Sequence, residues 1–535
     1  NVDGTPVLVF NPLSWERSDM VETTVRFTDA VPEQIAVYDG DTLVPSTVTA
    51  RDEEKKTATI RFQANALPSV GFKIFTVKAG DGTVETNLSV EENDSLFVME
   101  NEFLKVEIDK ETGNIAQVYN KKDNNRPVFA DGYQGNEIHI YKDTGGSSYP
   151  AWDLVMDEMN ADPVAILNDT PEAIEIIENS PDRVVVRVSR SWSNSSMYQD
   201  ITLYPDSDRV DVKMHVNWNE DQRMIKISFP FAAESDHATY EIAYGALERP
   251  TTRDNSIDNA KFEVSGHKWA DVTDDSGEFG ASILNDSKYG WDAIQLKDEE
   301  GNVEATRLRL TALRSPMGAP VRCSGWDPSP YYIDKTTHDF TYSIYPHAGT
   351  WQEANSVQKA AELNYKAEAV QSERHDGDLG TAYSFATSSA DNVPISVIKT
   401  PADDPDAKDK LIVRVYESDG QENTDVTLTL PSNVKSAKEV NLLEKDDEDL
   451  NKEITVDGNQ IHFSMGKYEI TTIALEVEPY GGEDVELKSA PVDLFDYYNV
   501  DAVSFNEDRK DGDYDGEGNT IPAALWKDYS TFEGG

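Results

Sequence analysis

Residues 208–218 read Asp208-Arg-Val-Asp-Val-Lys-Met-His-Val-Asn-Trp218, and apolar and polar side chains alternate along them. Successive side chains of a β-strand point to opposite faces, so every second residue shares a face. One face carries Val210, Val212, Met214, Val216 and Trp218, and the other carries Asp211, Lys213, His215 and Asn217. The pattern predicts a strand with one face in a core and the other toward solvent.

The same alternation recurs elsewhere in the chain. It is clear at Phe340, Tyr342 and Ile344, and again in 104–108, which is followed by a turn signal ending at Gly113. Helical periodicity is confined to 355–370, where it marks one face only roughly. We therefore predict an all-β fold built from sandwiches, with one short helix at 355–370.

Turn-rich and polar stretches divide the chain into four predicted parts. A small β domain covers 1–82 and closes at Gly80-Asp-Gly82. A block at 83–371 is too long for one simple sandwich, and the polar stretch 372–380 opens a third strand block at 372–478. The last segment, 479–535, ends without completing a domain. We expect the chain to be cut at both ends.

The charge balance limits the possible partners. The chain has 100 Asp and Glu against 48 Lys and Arg, a formal charge of -52. Such a surface repels phosphates and anionic lipid, so nucleic acid and membranes are not expected as partners. No run of 18 apolar residues is present. The carboxylates are spread along the whole chain, which favours solvation in a high-salt environment, where screening relieves self-repulsion.

Residue types that bind transition metals are sparse. The one cysteine, Cys323, excludes an intrachain disulfide framework and a thiolate zinc cluster. The eight histidines are scattered, with no His-x-His and no His-Glu-x-x-His. Carboxylates are too numerous for a catalytic pair to be chosen from sequence, because such a pair is defined by its separation in space.

A series of short strings then follows one order along the chain. It begins with Asn11-Pro-Leu-Ser-Trp-Glu-Arg17 and Phe103-Leu-Lys-Val-Glu-Ile-Asp109, and continues at 113–116, 244–251, 260–264, 267–271, 284–290, 313–316, 340–347, 413–417 and 468–470. These strings resemble the C-terminal β region of glycoside hydrolase family 38, the α-mannosidases, over residues 5–478. The loop at 318–329, with Cys323 and Trp326, departs from that pattern.

The resemblance implies a function as well as a fold. Members of the family are similar in having an N-terminal barrel that carries zinc and the catalytic carboxylates, then a helical bundle, and then these β domains. They act on α-mannosides and retain the anomeric configuration. It implies that 83–371 is a galactose-mutarotase-like supersandwich between smaller β-sandwich domains. No position matches the zinc ligands or the nucleophile, so we assign no catalytic residue and expect the chain alone to be inactive.

The same resemblance suggests where this region could touch a mannose-containing glycan. Loops of the family's β region help to close the sugar pocket, and we predict that Trp152 and Asp153, with Asn285, Asp286, Lys288 and Tyr289, do so here. Amide and carboxylate groups suit sugar hydroxyls, and aromatic faces suit sugar C–H surfaces. A structural turn with a solvated lysine is the competing and more ordinary explanation of 285–289. The other predicted partners are the protein's own N-terminal catalytic domain and a second copy of the chain.

The tail carries a separate pattern. Asp511, Asp513 and Asp515 alternate before Gly516, as in the first half of an EF-hand calcium loop, but the twelfth position is Pro522 instead of Glu. Calcium binding and an ordinary Asp/Gly turn both remain open. Residues 498–524 also resemble the start of an additional β module found in bacterial glycosidases.

A second class of function stays open at this point. A supersandwich also serves epimerases and lyases, so an autonomous carbohydrate-binding or mutarotase-like protein is the alternative. An epimerase needs a histidine and a glutamate that converge in a cleft, and no sequence feature nominates such a pair. The compartment is not determined by the sequence.

Overall fold

The computed structural model describes residues 4–145, 150–318 and 332–479, which form 37 strands and three short helices. The all-β prediction is confirmed. The first seven strands are β1 (Thr5–Asn11), β2 (Arg17–Arg26), β3 (Ile35–Asp39), β4 (Thr42–Val44), β5 (Ser46–Asp52), β6 (Thr57–Leu67) and β7 (Gly71–Ala79). They supply a three-stranded sheet, β2-β6-β5, and the run β1-β7-β3-β4 of a second sheet. Phe62 and Phe75 meet between these sheets with ring centroids 5.2 Å apart.

The middle of the chain holds the next twenty strands. They are β8 (Ser89–Glu92), β9 (Leu96–Glu100), β10 (Leu104–Asp109), β11 (Ile115–Asn120), β12 (Arg126–Pro127), β13 (Glu137–Lys142), β14 (Ala165–Ile166), β15 (Ala173–Asn179), β16 (Val184–Trp192), β17 (Ser195–Leu203), β18 (Val210–Asn217), β19 (Arg223–Phe231), β20 (His237–Ile242), β21 (Gly245–Pro250), β22 (Val264–Ser265), β23 (Trp269–Thr273), β24 (Phe279–Asn285), β25 (Gly290–Lys297), β26 (Val303–Arg314) and β27 (Thr337–Ala348). Helices α1 (Met156–Met159) and α2 (Ser256–Asn259) lie between strands, and α3 (Ser356–Asn364) follows β27.

These strands form three sheets around one core. A nine-stranded sheet runs β15-β16-β17-β18-β27-β24-β23-β20-β21, a six-stranded sheet runs β14-β13-β19-β26-β25-β22, and a five-stranded sheet runs β12-β11-β10-β9-β8. Alternate residues of all three enter the same apolar cluster, including Val212 and Tyr342 from the first, Phe229 and Trp291 from the second and Val106 from the third. A core of this size enclosed by long antiparallel sheets is the supersandwich.

The remaining strands are β28 (Glu368–Gln371), β29 (Ala382–Ser384), β30 (Thr387–Ser388), β31 (Ile395–Lys399), β32 (Lys410–Tyr416), β33 (Thr424–Thr429), β34 (Val434–Val440), β35 (Thr455–Asp457), β36 (Gln460–Met465) and β37 (Ile470–Val477). Two four-stranded sheets, β30-β33-β36-β35 and β31-β32-β37-β34, enclose their own core. β28 and β29 instead pair with β1 and β7, so the chain returns to the sheet of β1 and β7 before the last sandwich begins. The boundaries of the four predicted parts stay predictions.

The predicted helix at 355–370 is wrong over its second half. α3 ends at Asn364, and Tyr365 leaves the helical region with a φ of -117° and a ψ of 85°. Residues 368–371 form β28, because the edge of β1 offers unpaired backbone groups that this segment satisfies. Tertiary pairing here overrides a weak helical pattern.

Candidate functional site

One end of the six-stranded sheet brings the two predicted pocket segments together. β26 ends there at Arg314 and β25 begins there, with Gly290 opposite Thr311. β13 ends at the same side, since Tyr141 pairs with Met224 and Met224 with Arg314. The loop with Trp152 follows β13, and the turn 286–289 precedes β25. The structure therefore places both segments at the same sheet end.

Trp152 lies on a loop whose backbone carbonyl groups are bound by Arg314. Arg314 makes a two-pronged ion pair with Asp143, with both N–O distances 2.9 Å. Its guanidinium also donates to the carbonyl oxygens of Pro150, at 3.3 Å, and Asp153, at 2.9 Å. Burial raises the pKa of the Asp143 carboxyl against the opposing effect of Arg314. The Trp152 side chain is 76% exposed, so a fixed loop presents a large aromatic surface to solvent.

Asn285 uses its side chain to build the 286–289 turn. It is buried, its Nδ2 donates to the His267 carbonyl at 2.9 Å, and its Oδ1 accepts the backbone N–H groups of Ser287 and Lys288 at 3.1 and 2.6 Å. Both acceptor lone pairs of the amide oxygen are thus occupied within the turn. Asn285 shapes the turn, and its capacity to bind a sugar hydroxyl is small.

The other three predicted residues of the turn differ in exposure. Asp286 is exposed, and its Oδ2 accepts the Thr341 N–H of β27 at 3.0 Å. The Lys288 ammonium lies 4.3 Å from the centre of the Phe340 ring, and burial lowers its pKa. Tyr289 is 62% exposed and meets the His267 ring edge-on. Tyr289 is therefore the member of the turn most available to a ligand.

The outer face of the six-stranded sheet carries charged residues that sequence reasoning missed. Its inner face is apolar, but its outer face has a set of polar residues that we name the charged belt: Glu137, His139, Tyr141, Lys226, Asp292, Arg307 and Arg309, with Glu263 lying over them. Lys226 is fully buried and is bound by the carboxylates of Glu263 and Asp292. Arg309 binds the other oxygen of Asp292 at 2.8 Å and the Tyr141 hydroxyl.

The two carboxyl groups beside Lys226 have pKa values shifted in opposite directions. Burial raises the pKa of Glu263. Burial also acts to raise the pKa of Asp292, but Arg309 and Lys226 outweigh it and hold that pKa below its usual range. Tyr141 also belongs to a small apolar cluster with Met159 and Met224, against which Leu154 and Phe262 pack. One signal in the sequence points to the belt, the alternation Arg307-Leu-Arg-Leu-Thr311 in a chain so rich in acid.

A cleft of about 560 Å³ between the first sheets and the supersandwich is also lined with charges, and these have a structural role. Arg61 of β6 binds Asp182 at 2.6 Å and also Glu178. Arg209 binds Asp211 at 2.8 Å. Because these guanidinium groups are occupied by carboxylates, the cleft is best explained as an ionic contact between two layers of the fold.

The described residues contain one group of metal-ligand type. Ligand atoms of Asp236, His237 and Asp275 lie within 4.8 Å of one another. His237 already pairs with Asp236 at 2.7 Å, and both aspartates are exposed, so an ordinary surface ion pair explains the group. It lacks the buried, hydrogen-bonded ligands typical of a catalytic zinc centre. We derive no chemical step through it.

Three features of the sequence analysis lie outside the described residues. They are the calcium loop with Asp511, Asp513 and Asp515, the additional β module suggested at 498–524, and most of the 318–329 loop with Cys323. Among the helices in the described part of the chain, none is long and apolar enough to cross a membrane.

The fold defines a class, the multidomain all-β regions built around a large antiparallel supersandwich. The family profile described as "Glycosyl hydrolases family 38 C-terminal domain" matches residues 99–320, and that described as "Glycosyl hydrolases family 38 C-terminal beta sandwich domain" matches residues 392–473. The chain therefore belongs to glycosyl hydrolase family 38, as a C-terminal region of it.

Named relatives agree with this assignment. The chain is 32% identical to alpha-mannosidase G of Dictyostelium discoideum over 71% of its length and 34% of that protein. It is 27% identical to human alpha-mannosidase 2C1 over 73% of its length and 34% of that protein. The chain thus spans about a third of these relatives. The crystal structure of an alpha-mannosidase from Enterococcus faecalis V583 superposes with a TM-score of 0.64 at 14% identity, covering 89% of this chain and 56% of the other, which shows a shared fold.

Proposed function

We propose that this chain is the C-terminal part of an α-mannosidase, a glycosidase that acts on α-mannosides. The observation that carries the proposal is the pair of family 38 matches, one on the supersandwich and one on the last sandwich. The similarity to alpha-mannosidase G supports the same substrate class. In this proposal, the zinc and the carboxylates of a retaining reaction belong to an N-terminal catalytic domain.

The role of these 535 residues is then to support that domain and to complete the rim of its sugar pocket. Trp152 and Tyr289 are the two side chains best suited to the rim, because both are aromatic, highly exposed and at one sheet end. Sugar rings pack their C–H surfaces on such rings. The clamp of Arg314 on the Trp152 loop supports this role, since a pre-positioned side chain loses little entropy when a ligand binds.

The test uses the full-length enzyme with an aryl α-mannoside and a mannose-containing oligosaccharide. Trp152→Ala is expected to lower kcat/KM for the oligosaccharide about fivefold to tenfold, or about 1 to 1.4 kcal/mol of transition-state binding. Leu443→Ala is the matched control, because Leu443 is 79% exposed on the last sandwich. An unchanged kcat/KM for Trp152→Ala would remove this loop from the pocket.

Two further measurements test whether catalysis belongs to the N-terminal domain and not to this chain. A chelator is expected to abolish activity of the full-length enzyme, and zinc to restore it. The isolated 535-residue chain is expected to hydrolyse no aryl α-mannoside with or without zinc. Zinc-dependent turnover by the purified chain would show that the catalytic residues lie within it.

The mutarotase-like alternative gains one observation. Glu137 and His139 converge on the outer face of the six-stranded sheet, with Oε2 and Nε2 2.6 Å apart. Acid–base catalysis of sugar ring opening needs such groups, but His139 is only 3% exposed. Polarimetry of freshly dissolved aldoses with the purified chain decides this alternative, and an uncatalysed rate excludes it.

A further inference from the structure

A cleft of about 300 Å³ opens where three parts of the fold meet, and we name it the junction cleft. Its lining comes from the β1–β2 connection with Trp15, the β6–β7 turn with Pro68, helix α3 with Gln358, and the segment 384–394 before β31. Small-molecule sites in proteins are concave, occur preferentially at domain interfaces and have volumes of about 300 to 1,000 Å³. The junction cleft therefore has the position of such a site and a size that suits a small ligand.

The walls of the junction cleft are tied together by hydrogen bonds of two buried serine hydroxyls. Ser14 Oγ accepts the backbone N–H of Ile395 at 2.9 Å. Ser69 Oγ donates to the carbonyl oxygen of Ala386 at 2.7 Å. Both bonds join the first block of strands to the segment that enters the last sandwich. The cleft is thus formed before a ligand arrives, which lowers the entropic cost of binding.

The apolar part of the lining consists of ring side chains. Trp15 is half-buried, and its Nε1 donates to Glu362 Oε1 of α3 at 3.0 Å. Because the only polar atom of the indole is already bonded, Trp15 offers a ligand its apolar surface in a fixed orientation. Pro68 and Pro394 belong to the same lining. Surfaces of this kind suit the C–H face of a sugar ring.

The polar part of the lining carries acceptors that no described residue occupies. Asp391 and Glu16 are exposed, and neither carboxylate has a hydrogen bond or ion pair with a residue that the structure describes. Gln358 donates through Nε2 to the Asp391 carbonyl oxygen at 3.0 Å, which leaves its Oε1 available. No lysine, arginine or histidine of the described ranges lines the cleft. The cleft therefore repels anions, and its acceptors suit the hydroxyl groups of an uncharged ligand.

We propose that the junction cleft binds a neutral saccharide of one or two rings, with Trp15 against a sugar face and Asp391 and Gln358 accepting from its hydroxyls. An apolar ring surface beside carboxylate and amide oxygens matches both the C–H face and the hydroxyl edge of a sugar. A divalent cation would use the carboxylates alone and leave the ring surfaces without a role. The cleft shares no strand or loop with the pocket rim at Trp152 and Tyr289, so this binding does not depend on the proposed function.

The experiment is a saturation-transfer difference NMR titration of the purified 535-residue chain with methyl α-mannoside and, separately, methyl α-glucoside. The wild-type chain is expected to bind at least one of the two saturably. Asp391→Ala is expected to weaken that binding about tenfold, because a hydrogen bond to a charged acceptor is lost. Asp391 is exposed, so this variant is expected to melt like wild type. Trp152→Ala is the matched control, since it removes an exposed aromatic side chain from the rim and leaves the cleft intact.

A second variant and a cation titration complete the test. Gln358→Ala is expected to weaken sugar binding about threefold to fivefold, less than Asp391→Ala, because a neutral acceptor forms the weaker hydrogen bond. Calorimetric titration with calcium chloride asks whether the carboxylates hold a cation instead.

Each outcome decides the proposal. Saturable sugar binding that Asp391→Ala weakens and Trp152→Ala preserves supports it. Sugar binding that Asp391→Ala leaves unchanged, or that Trp152→Ala removes, places the saccharide elsewhere and overturns it. The absence of saturable binding of either hexoside also overturns it, and calcium binding that is lost in Asp391→Ala would then assign the carboxylates to a cation.

Discussion

Replacing Lys226 by methionine tests the energetics of the charged belt. The ammonium is fully buried and binds Glu263 and Asp292. Methionine fills similar volume but leaves two buried carboxylates with one cation fewer. Removing one partner of a buried ion pair costs about 3 to 5 kcal/mol, because the remaining charge stays desolvated. At about 2 to 4 °C per kcal/mol for a domain of this size, the supersandwich transition is expected to fall by about 6 to 20 °C.

The loss is expected to depend on pH in a defined direction. Burial raises the pKa of Glu263 above its ordinary value of 4.5, and Lys226 opposes that rise. In Lys226→Met the pKa of Glu263 therefore rises further. A carboxyl with a raised folded-state pKa lowers stability as pH increases through that value. The difference between variant and wild type is thus largest above the raised pKa of Glu263 and shrinks as the pH falls toward 4.5.

Urea denaturation followed by tryptophan fluorescence measures this difference, since Trp218 and Trp291 lie in the same core. Lys213→Met is the control, because Lys213 is exposed on β18, and its effect is expected to stay within about 0.5 kcal/mol. The double variant Lys226→Met with Glu263→Gln is expected to recover part of the loss. A destabilisation below about 1 kcal/mol, or one independent of pH, would refute the reasoning.

Three other predictions concern stability. The melting temperature of the chain is expected to rise between low and molar potassium chloride, because screening reduces the repulsion of a -52 charge; a flat or falling value would contradict the high-salt hypothesis. Asp286→Ala is expected to lower the unfolding free energy by about 1 kcal/mol, since its carboxylate accepts the Thr341 N–H, whereas Tyr289→Ala changes it little; equal effects in urea denaturation would argue against this role. Burial raises the pKa of Asp419 from 3.8 to about 6. The wild type is therefore expected to lose stability relative to Asp419→Asn as the pH rises from 4 to 7. A difference in melting temperature between the two proteins that stays constant across that pH range would disprove the shift.

The sequence by itself determined the fold class and the strands with one polar face. Period-two alternation in 208–218 predicted β18, and Val210, Val212, Met214 and Val216 are all buried in the supersandwich core. Such a prediction succeeds because side-chain alternation is a local property of an extended backbone. The order of short strings likewise indicated family 38, which the family matches confirm.

The tertiary structure alone decided which polar residues meet. Glu137, Lys226, Asp292 and Arg309 are separated by up to 172 positions, and antiparallel pairing brings them to one face, where Glu263 also binds Lys226. Pairing also explains why 368–371 form a strand and not the predicted helix. These residues hydrogen-bond to the edge of β1. Local pattern carries no information on such contacts, because register and sheet order are set by the packing of the whole core. The Trp152 loop likewise depends on a distant residue, because Arg314 donates to the carbonyl oxygens of Pro150 and Asp153.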